Sequence, residues 1–172
     1  MTSPTAPPAL LSHVLTATPD PEIPARGLIA ITLGLRDPDA PPVYCRQLTV
    51  AVPTGAGPGA LTTHQNIQTV TTGVPEPRRD LPGQRWSVIR MPADRDTALF
   101  ICRPQGLGGS RYAEFAESAA TVTLSFGNIA VGANTAEAAL DITELTSADR
   151  VDGYTRKSAR VRVTTGPLSV VR

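Results

Sequence analysis

The stretch from Ala119 to Val131, AATVTLSFGNIAV, constrains the fold of this chain more than any other. From Ala120 to Phe126 its residues alternate: Ala, Val, Leu and Phe fall on one parity, and Thr, Thr and Ser fall on the other. A period of two places apolar side chains on one face of a pleated strand and hydroxyls on the opposite face. Thr, Val and Phe also favour strands. We therefore predict a central strand of an antiparallel sandwich here.

Other segments show the same period or the same flanking turn residues. The clearest is 27–36, where Ile29, Ile31, Leu33 and Leu35 share one face. We predict strands at 13–18, 27–36, 43–52, 67–72, 86–91, 98–102, 119–131, 136–145 and 158–164, and either a helical turn or a polar connection at 112–119. The chain has 17 Pro and 14 Gly, which punctuate many short elements. This count of short strands favours a sandwich or barrel.

The length of 172 residues predicts one domain with a real core. We expect a flexible, proline-rich tail at 1–9 and a single sandwich domain at 10–172. Within that domain the alternation is lost over 54–84, which is rich in Gly, Pro and polar residues. Connections longer than about 12–15 residues are uncommon in compact domains and often functional. The segment 54–84 is therefore the predicted loop region for binding.

Charge and hydropathy limit the classes of partner and compartment. A net charge of +1 gives no general reason to expect nucleic acid or an anionic membrane as a partner. The N-terminus shows neither the basic nor the apolar region of a secretory signal peptide, and no run approaches the roughly 18 apolar residues of a membrane span. We expect a cytoplasmic protein, one exported by a signal-independent route, or a piece of something longer.

Cys45 and Cys102 are the only cysteines, and both fall in predicted strands. One interpretation is two small buried hydrophobic residues. A second is a disulfide, which would close a long loop and add ~2–4 kcal/mol in an oxidising compartment. A reactive thiol is a third. No histidine lies at ligand spacing to either cysteine, so we predict neither a metal site nor a cofactor.

Two further groups of residues are candidates for binding. His64, Gln65 and Asn66 lie in the polar run TTHQN and would present hydrogen-bonding side chains to a ligand, unless they are simply surface loop. The second group is a C-terminal arginine ridge, Arg156, Arg160 and Arg162. On the strand SARVRVT the last two share a face opposite Val161 and Val163. That ridge would bind an acidic partner or phosphate groups, or protect an edge strand from pairing.

We expect acidic residues of one subunit to pair with the arginine ridge of a neighbouring subunit. These are Glu114, Glu117, Glu137, Asp141 and Glu144.

Two stretches carry a family resemblance. LTATPDPEIPARGLIAITL (15–33) resembles the opening of bacterial immunoglobulin-like surface and assembly modules, in which a Pro-broken first strand leads into an alternating second strand. FGNIAVGANTAEAALDITE (126–144) is similar to their closing strands. The resemblance implies a non-catalytic sandwich used for adhesion, spacing or subunit assembly. The fold prediction is thus all-β, an antiparallel immunoglobulin-like β-sandwich of eight to ten short strands.

The predicted function is a non-enzymatic binding or assembly module with a protein partner or with itself as partner. Two alternatives stay open. The first is a small hydrolase-like enzyme that uses His64 with carboxylates or hydroxyls of the 54–84 loop. The second is an anionic-ligand binder that uses the arginine ridge, although nucleic acid is not the expected partner.

Overall fold

The computed structural model describes residues 7–20, 22–23, 26–57, 59–74, 85–94, 96–105, 111–117, 120–130 and 138–163, with the backbone alone at 92–94. These residues form ten β-strands and one short 3-10 helix. The strands are β1 (Leu11–Pro19), β2 (Arg26–Leu35), β3 (Val43–Pro53), β4 (Thr71–Gly73), β5 (Arg85–Asp94), β6 (Thr97–Gln105), β7 (Ala113–Phe115), β8 (Val122–Ala130), β9 (Ala139–Ser147) and β10 (Thr155–Arg162). The 3-10 helix spans Asn66–Thr69.

The strands form two antiparallel sheets that pack as a β-sandwich. The smaller sheet has the order β1-β2-β8-β4. The larger sheet has the order β10-β9-β3-β6-β5, and the short β7 pairs with the beginning of β3. The predicted all-β antiparallel sandwich is confirmed. The segment around Val122–Ala130 indeed lies inside its sheet, between β2 and β4.

The core between the sheets contains the apolar parity of each alternating strand. Leu33, Val50 and Leu124 are completely buried, as the period of two predicts. Across the sandwich, the rings of Phe100 on β6 and Phe126 on β8 meet edge to face with centroids 4.8 Å apart. Most of the core is aliphatic, because the whole chain has only three Phe, three Tyr and one Trp.

The described part of the 54–84 segment differs from the expected loop. Leu61, Ile67 and Val70 are buried in the core. The strand expected at 67–72 is instead the 3-10 helix followed by β4, which covers only Thr71–Gly73. Burial of three apolar side chains overrides the polar, glycine-rich composition that suggested a surface loop. Residues 58 and 75–84 lie outside the described residues.

Two other predictions differ from the structure. The segment expected to be a helical turn or a polar connection contains β7, because its Ala113 and Phe115 are inward while Glu114 is exposed. Ala9, which was expected to belong to a flexible tail at 1–9, is buried, and its carbonyl accepts a hydrogen bond from Arg36 Nη1. Residues 1–6, and all but the first residue of the glycine-rich run at 105–110, lie outside the described residues.

Candidate interaction surfaces and a buried charge cluster

A buried charge cluster joins the two sheets at the edge where β1 meets β9 and β10. Glu144, on β9, is completely buried. Its Oε1 accepts hydrogen bonds from the backbone N–H of Leu10, at 2.5 Å, and from Thr146 Oγ1, at 3.0 Å. Its Oε2 accepts from Leu11 N at 3.3 Å and from His13 Nε2 at 3.1 Å. This carboxylate therefore links the start of β1, in the smaller sheet, to β9 in the larger sheet.

Lys157 is the second charge of the cluster and lies directly opposite Glu144 in the pairing of β9 with β10. Its ammonium donates to the carbonyl and hydroxyl oxygens of Thr146, at 2.9 and 3.1 Å, and to those of Thr155, at 3.3 and 2.9 Å. Burial lowers the pKa of Lys157, while the charge of Glu144 acts in the opposite direction. Lys157 therefore does not extend the arginine ridge, although it lies within the same strand.

We expected Glu144 to pair with the arginine ridge of a neighbouring subunit, and that expectation is wrong. A side chain with no exposed surface cannot reach another subunit. Asp141 is already engaged, because Arg160 donates to both of its carboxylate oxygens at 2.8 and 3.1 Å. That pair lowers the pKa of Asp141 through the hydrogen bond from Arg160. Glu137 lies outside the described residues.

Both cysteines are buried and free. Burial raises the pKa of the Cys45 thiol to about 12, and the negative charge of Glu144 acts in the same direction. Burial alone raises the pKa of Cys102 to about 12. Because the thiolate is the reactive form, these thiols are poor nucleophiles in the folded chain. Their environment favours the interpretation of small buried hydrophobic residues.

The structure separates the three residues of the candidate binding run. His64 is 58 % exposed at its side chain, and its Nδ1 is 3.1 Å from the hydroxyl of Thr54. Its Nε2 is 3.8 Å from Asp96 Oδ1. A hydroxyl, an imidazole and a carboxylate thus lie in series, but Thr54 is buried. The bond between Thr54 and His64 links the end of β3 to the segment before the 3-10 helix.

Gln65 is exposed, whereas Asn66 is part of the scaffold. Asn66 Oδ1 accepts hydrogen bonds from Ala130 N, at 2.9 Å, and from Thr62 Oγ1, at 2.5 Å, while its Nδ2 donates to the carbonyl of Asn128 at 3.2 Å. Asn128 has a positive φ of 60°, a conformation that asparagine tolerates better than most residues. These bonds attach the 3-10 helix to the end of β8.

The outer face of the larger sheet carries the arginine ridge at one edge and an apolar patch at the other. Arg156, Arg160 and Arg162 are all exposed along β10, as predicted. On β5, Ile89 is 51 % exposed and Met91 is 46 % exposed. They pair across the strands with Ile101 and Leu99 of β6, which are half-buried. Arg85 and Arg103 lie beside this patch and are exposed. We call this outer surface of β5 and β6, including the two arginines, the partner face.

The outer face of the smaller sheet carries mostly hydroxyl-bearing, apolar and glycine residues. Its charged position is Arg26, at the start of β2 on the parity of Leu28, whose Nη1 donates to Asn128 Oδ1. Pairing and burial place thirteen further residues there: Ser12, Val14, Thr16 and Thr18 of β1; Leu28, Ala30, Thr32 and Gly34 of β2; Thr123, Ser125 and Gly127 of β8; and Thr71 and Gly73 of β4. We call this surface the hydroxyl face. Thr32 and Thr123 lie opposite each other within it, with their hydroxyl oxygens 3.0 Å apart.

The buried charge cluster was not predicted from the sequence, although its members visibly break the apolar alternation of their strands. His13 lies on the parity of Leu11 and Leu15, and Glu144 lies on the parity of Leu140 and Ile142. A charged or titratable residue on the apolar parity of a strand either ends the strand or finds a buried partner. That rule would have selected both residues, and Lys157 on β10 as well.

No protein-family model and no curated protein matches the chain. Within the described ranges, no helix has the length and apolar character needed to cross a membrane. The described histidines, cysteines and carboxylates also form no group of three or more that would hold a metal ion.

Proposed function

We propose that this protein is a non-catalytic binding and assembly module that captures a protein partner on its partner face. The observation that supports this most directly is the exposed apolar patch of Ile89 and Met91 beside arginines. Protein interfaces are enriched in Met and Arg and are depleted of Lys, Glu and Asp at their centre. Single exposed apolar residues need no explanation. Here the two exposed side chains adjoin the half-buried Ile101 and Leu99, so the apolar surface extends over two paired strands.

The charges around the patch favour an acidic partner. Arg103 and Arg85 follow the apolar side chains at one end of the paired strands, and the arginine ridge lies farther along the same face. Arg160 is neutralised by Asp141, whereas no described hydrogen bond or ion pair engages the side chains of Arg156 and Arg162. Complementary charges of this kind speed encounter and suppress wrong partners more than they raise affinity. A partner with an apolar centre and acidic rim fits best.

The likeness to bacterial immunoglobulin-like assembly modules supports the same role. The alternative of a hydrolase-like enzyme has weaker support, because the hydroxyl beside His64 is buried. The geometry of the partner face therefore supports binding over turnover.

Selection from a random peptide library displayed on phage tests the proposal. The wild-type chain should enrich peptides that combine apolar and acidic residues. Ile89→Ser should weaken a selected peptide by roughly tenfold, since truncating one central apolar contact costs about 1–2 kcal/mol. Val14→Ser is the matched control, because Val14 is 57 % exposed on the opposite sheet, and it should bind normally.

Two outcomes would contradict the proposal. One is a selection without any consensus. The other is equal binding by Ile89→Ser and wild type, with affinity falling steeply as salt rises, which would indicate a purely electrostatic, anionic-ligand site instead.

A further inference from the structure

Resting on the proposed function, we infer that the partner binds as an extended strand that adds to the free edge of β5. The described sheets have four edge strands, β1, β4, β5 and β10. The longest of them is β5, with ten residues. Within the described chain, no backbone hydrogen bond joins β5 to a strand other than β6. An unpaired edge of this kind is a template for another strand.

Two prolines show which backbone groups of β5 point toward that edge. The register of β5 with β6 is unbroken over 85–92, and both Pro92 and the partner of Pro104 are even-numbered residues of β5. Proline has no N–H, so it fits an antiparallel ladder without loss only in a pair that exchanges no hydrogen bonds. The even-numbered residues of β5 therefore direct their N–H and C=O groups away from β6. The three that precede Pro92 are Trp86, Val88 and Arg90.

These groups are available for pairing. No hydrogen bond to another described residue occupies the six backbone groups of the three residues. Trp86 adds a further donor, because its indole N–H is buried and has no acceptor in the described chain. Buried donors in native proteins nearly always have an acceptor, so an orphan calls for an explanation. A bound strand would bring carbonyl oxygens to the edge on which Trp86 lies.

The outward side chains of β5 give the added strand a sequence preference. Ile89 and Met91 are exposed on the odd-numbered parity, which faces outward. In antiparallel addition, residues opposite them would form non-hydrogen-bonded pairs, in which side chains lie closest. We expect apolar residues at these two positions of the partner strand, two residues apart. An acidic residue would lie opposite Arg85, four residues beyond the position opposite Ile89.

Charge favours an acidic segment over a second copy of this chain as the occupant. The charged side chains described on β5 and β6 are all arginines: Arg85, Arg90 and Arg103. The acids of this hairpin, Asp94 and Asp96, lie at its turn, the end opposite Arg85 and Arg103. Edge pairing of two copies would bring three arginines from each to one joint surface, whereas an acidic strand would complement them.

The other edges of the described sheets suit an added strand less well. The edge strand β4 has three residues. The edge strand β10 carries the arginine ridge and none of the large, exposed apolar side chains of the described chain. At the start of β1, the N–H of Leu11 is bound to Glu144. An acidic strand with two apolar residues therefore fits β5 best.

Amide hydrogen exchange, followed residue by residue by NMR, tests the inference on the full wild-type chain. Without any ligand, the amides of Trp86, Val88 and Arg90 should exchange at least about tenfold faster than their odd-numbered neighbours, which bond to β6. The tightest peptide from the phage selection is the probe. Its addition should slow the three fast amides by at least about tenfold.

Two variants of that peptide, N-methylated at alternate residues in opposite phase, test the backbone pairing. One phase removes the donors that face β5 and should weaken binding by at least about tenfold, whereas the other should bind within about threefold of the parent. Trp86 is the only tryptophan, so its fluorescence measures binding.

A matched pair of chain variants tests the same edge from the other side. Val88→Pro removes one edge N–H and should weaken the peptide by about tenfold, whereas Val88→Ala keeps that N–H and should bind nearly as wild type. Circular dichroism confirms the fold of each variant. The exchange and N-methylation experiments use the wild-type chain and do not depend on these variants.

Three outcomes would overturn the inference. The first is protection of the three edge amides in the dilute free chain, which would show that the edge is already covered. The second is protection that grows with chain concentration without peptide, which would assign the edge to a second copy. The third is binding that ignores the phase of N-methylation. If Ile89→Ser still weakens the peptide in that case, the proposed function stands and only the strand addition fails. A selection without consensus would instead contradict both.

Discussion

Replacement of Glu144 by Gln is the most informative perturbation of this fold. Gln has almost the shape of Glu but no charge, and one of its terminal atoms is a donor. In the wild type the carboxylate accepts from the backbone N–H groups of Leu10 and Leu11 at the start of β1, from the imidazole of His13 and from the hydroxyl of Thr146. The amide nitrogen of Gln would face donors that it cannot accept from. The ammonium of Lys157 would also lose the nearby negative charge.

The magnitude follows from these contacts. Hydrogen bonds to a charged group contribute about 1.5–3 kcal/mol each, and a buried donor left without an acceptor costs about 1–3 kcal/mol. Gln keeps one acceptor oxygen, so we expect Glu144→Gln to lower the free energy of unfolding by about 3 kcal/mol. For a chain of 172 residues that corresponds to a fall in the melting temperature of about 6–12 °C.

Urea unfolding monitored by circular dichroism measures the change directly. Glu114→Gln is the matched control, because Glu114 is exposed on β7 and the chemical change is identical. It should alter stability by less than about 0.5 kcal/mol. Hydrogen exchange adds a local measurement: the amides of Leu10 and Leu11 should lose protection in Glu144→Gln alone. Equal stability of the two variants would refute the role of the Glu144 carboxylate as a clasp between the sheets.

Further predictions concern the core, the thiols and the ridge. Leu124→Ala should cost about 2–5 kcal/mol, measured by urea unfolding, because a fully buried side chain leaves a cavity. Cys45 and Cys102 should resist a thiol reagent when folded and both react after unfolding without reductant; no reaction after unfolding would indicate a disulfide. Because folding raises the pKa of Cys102 from 9.0 to about 12, stability should fall as pH rises above about 9, and less steeply in Cys102→Ala. Arg160→Gln should leave the urea midpoint nearly unchanged, since its pair with Asp141 is solvent-exposed; a clear fall in the midpoint would show that the pair is structural.

The strands were predictable because their evidence is local. Alternation over 27–36 and 119–131 specifies both the strand and its buried face, and β2 and β8 follow it closely. β7 was missed because three residues are too few to establish a period of two. The 3-10 helix was missed because Ile67 is buried by contacts with distant strands. The neighbouring sequence does not indicate those contacts.

The candidate site was predictable only in part. Arg160 and Arg162 lie exposed on one face, as the parity of their strand predicts. Asn66 was a reasonable ligand candidate by composition. Its side-chain amide, however, is already hydrogen-bonded to the end of β8, more than sixty residues away along the chain. The partner face was not anticipated, since it exists only where two strands pair with their apolar residues outward.

By itself, the sequence determined that this chain forms many short strands and which side of each strand enters a core. Those properties depend on the period of two, which is contained within each segment. The tertiary structure alone decided which strands are neighbours, and with that the surfaces and the buried partners. Glu144 and Lys157 became buried neighbours because β9 and β10 align them in register, and Glu144 contacts His13 because the first strand crosses at that edge. Contacts between distant segments depend on sheet order and register, which no single strand encodes.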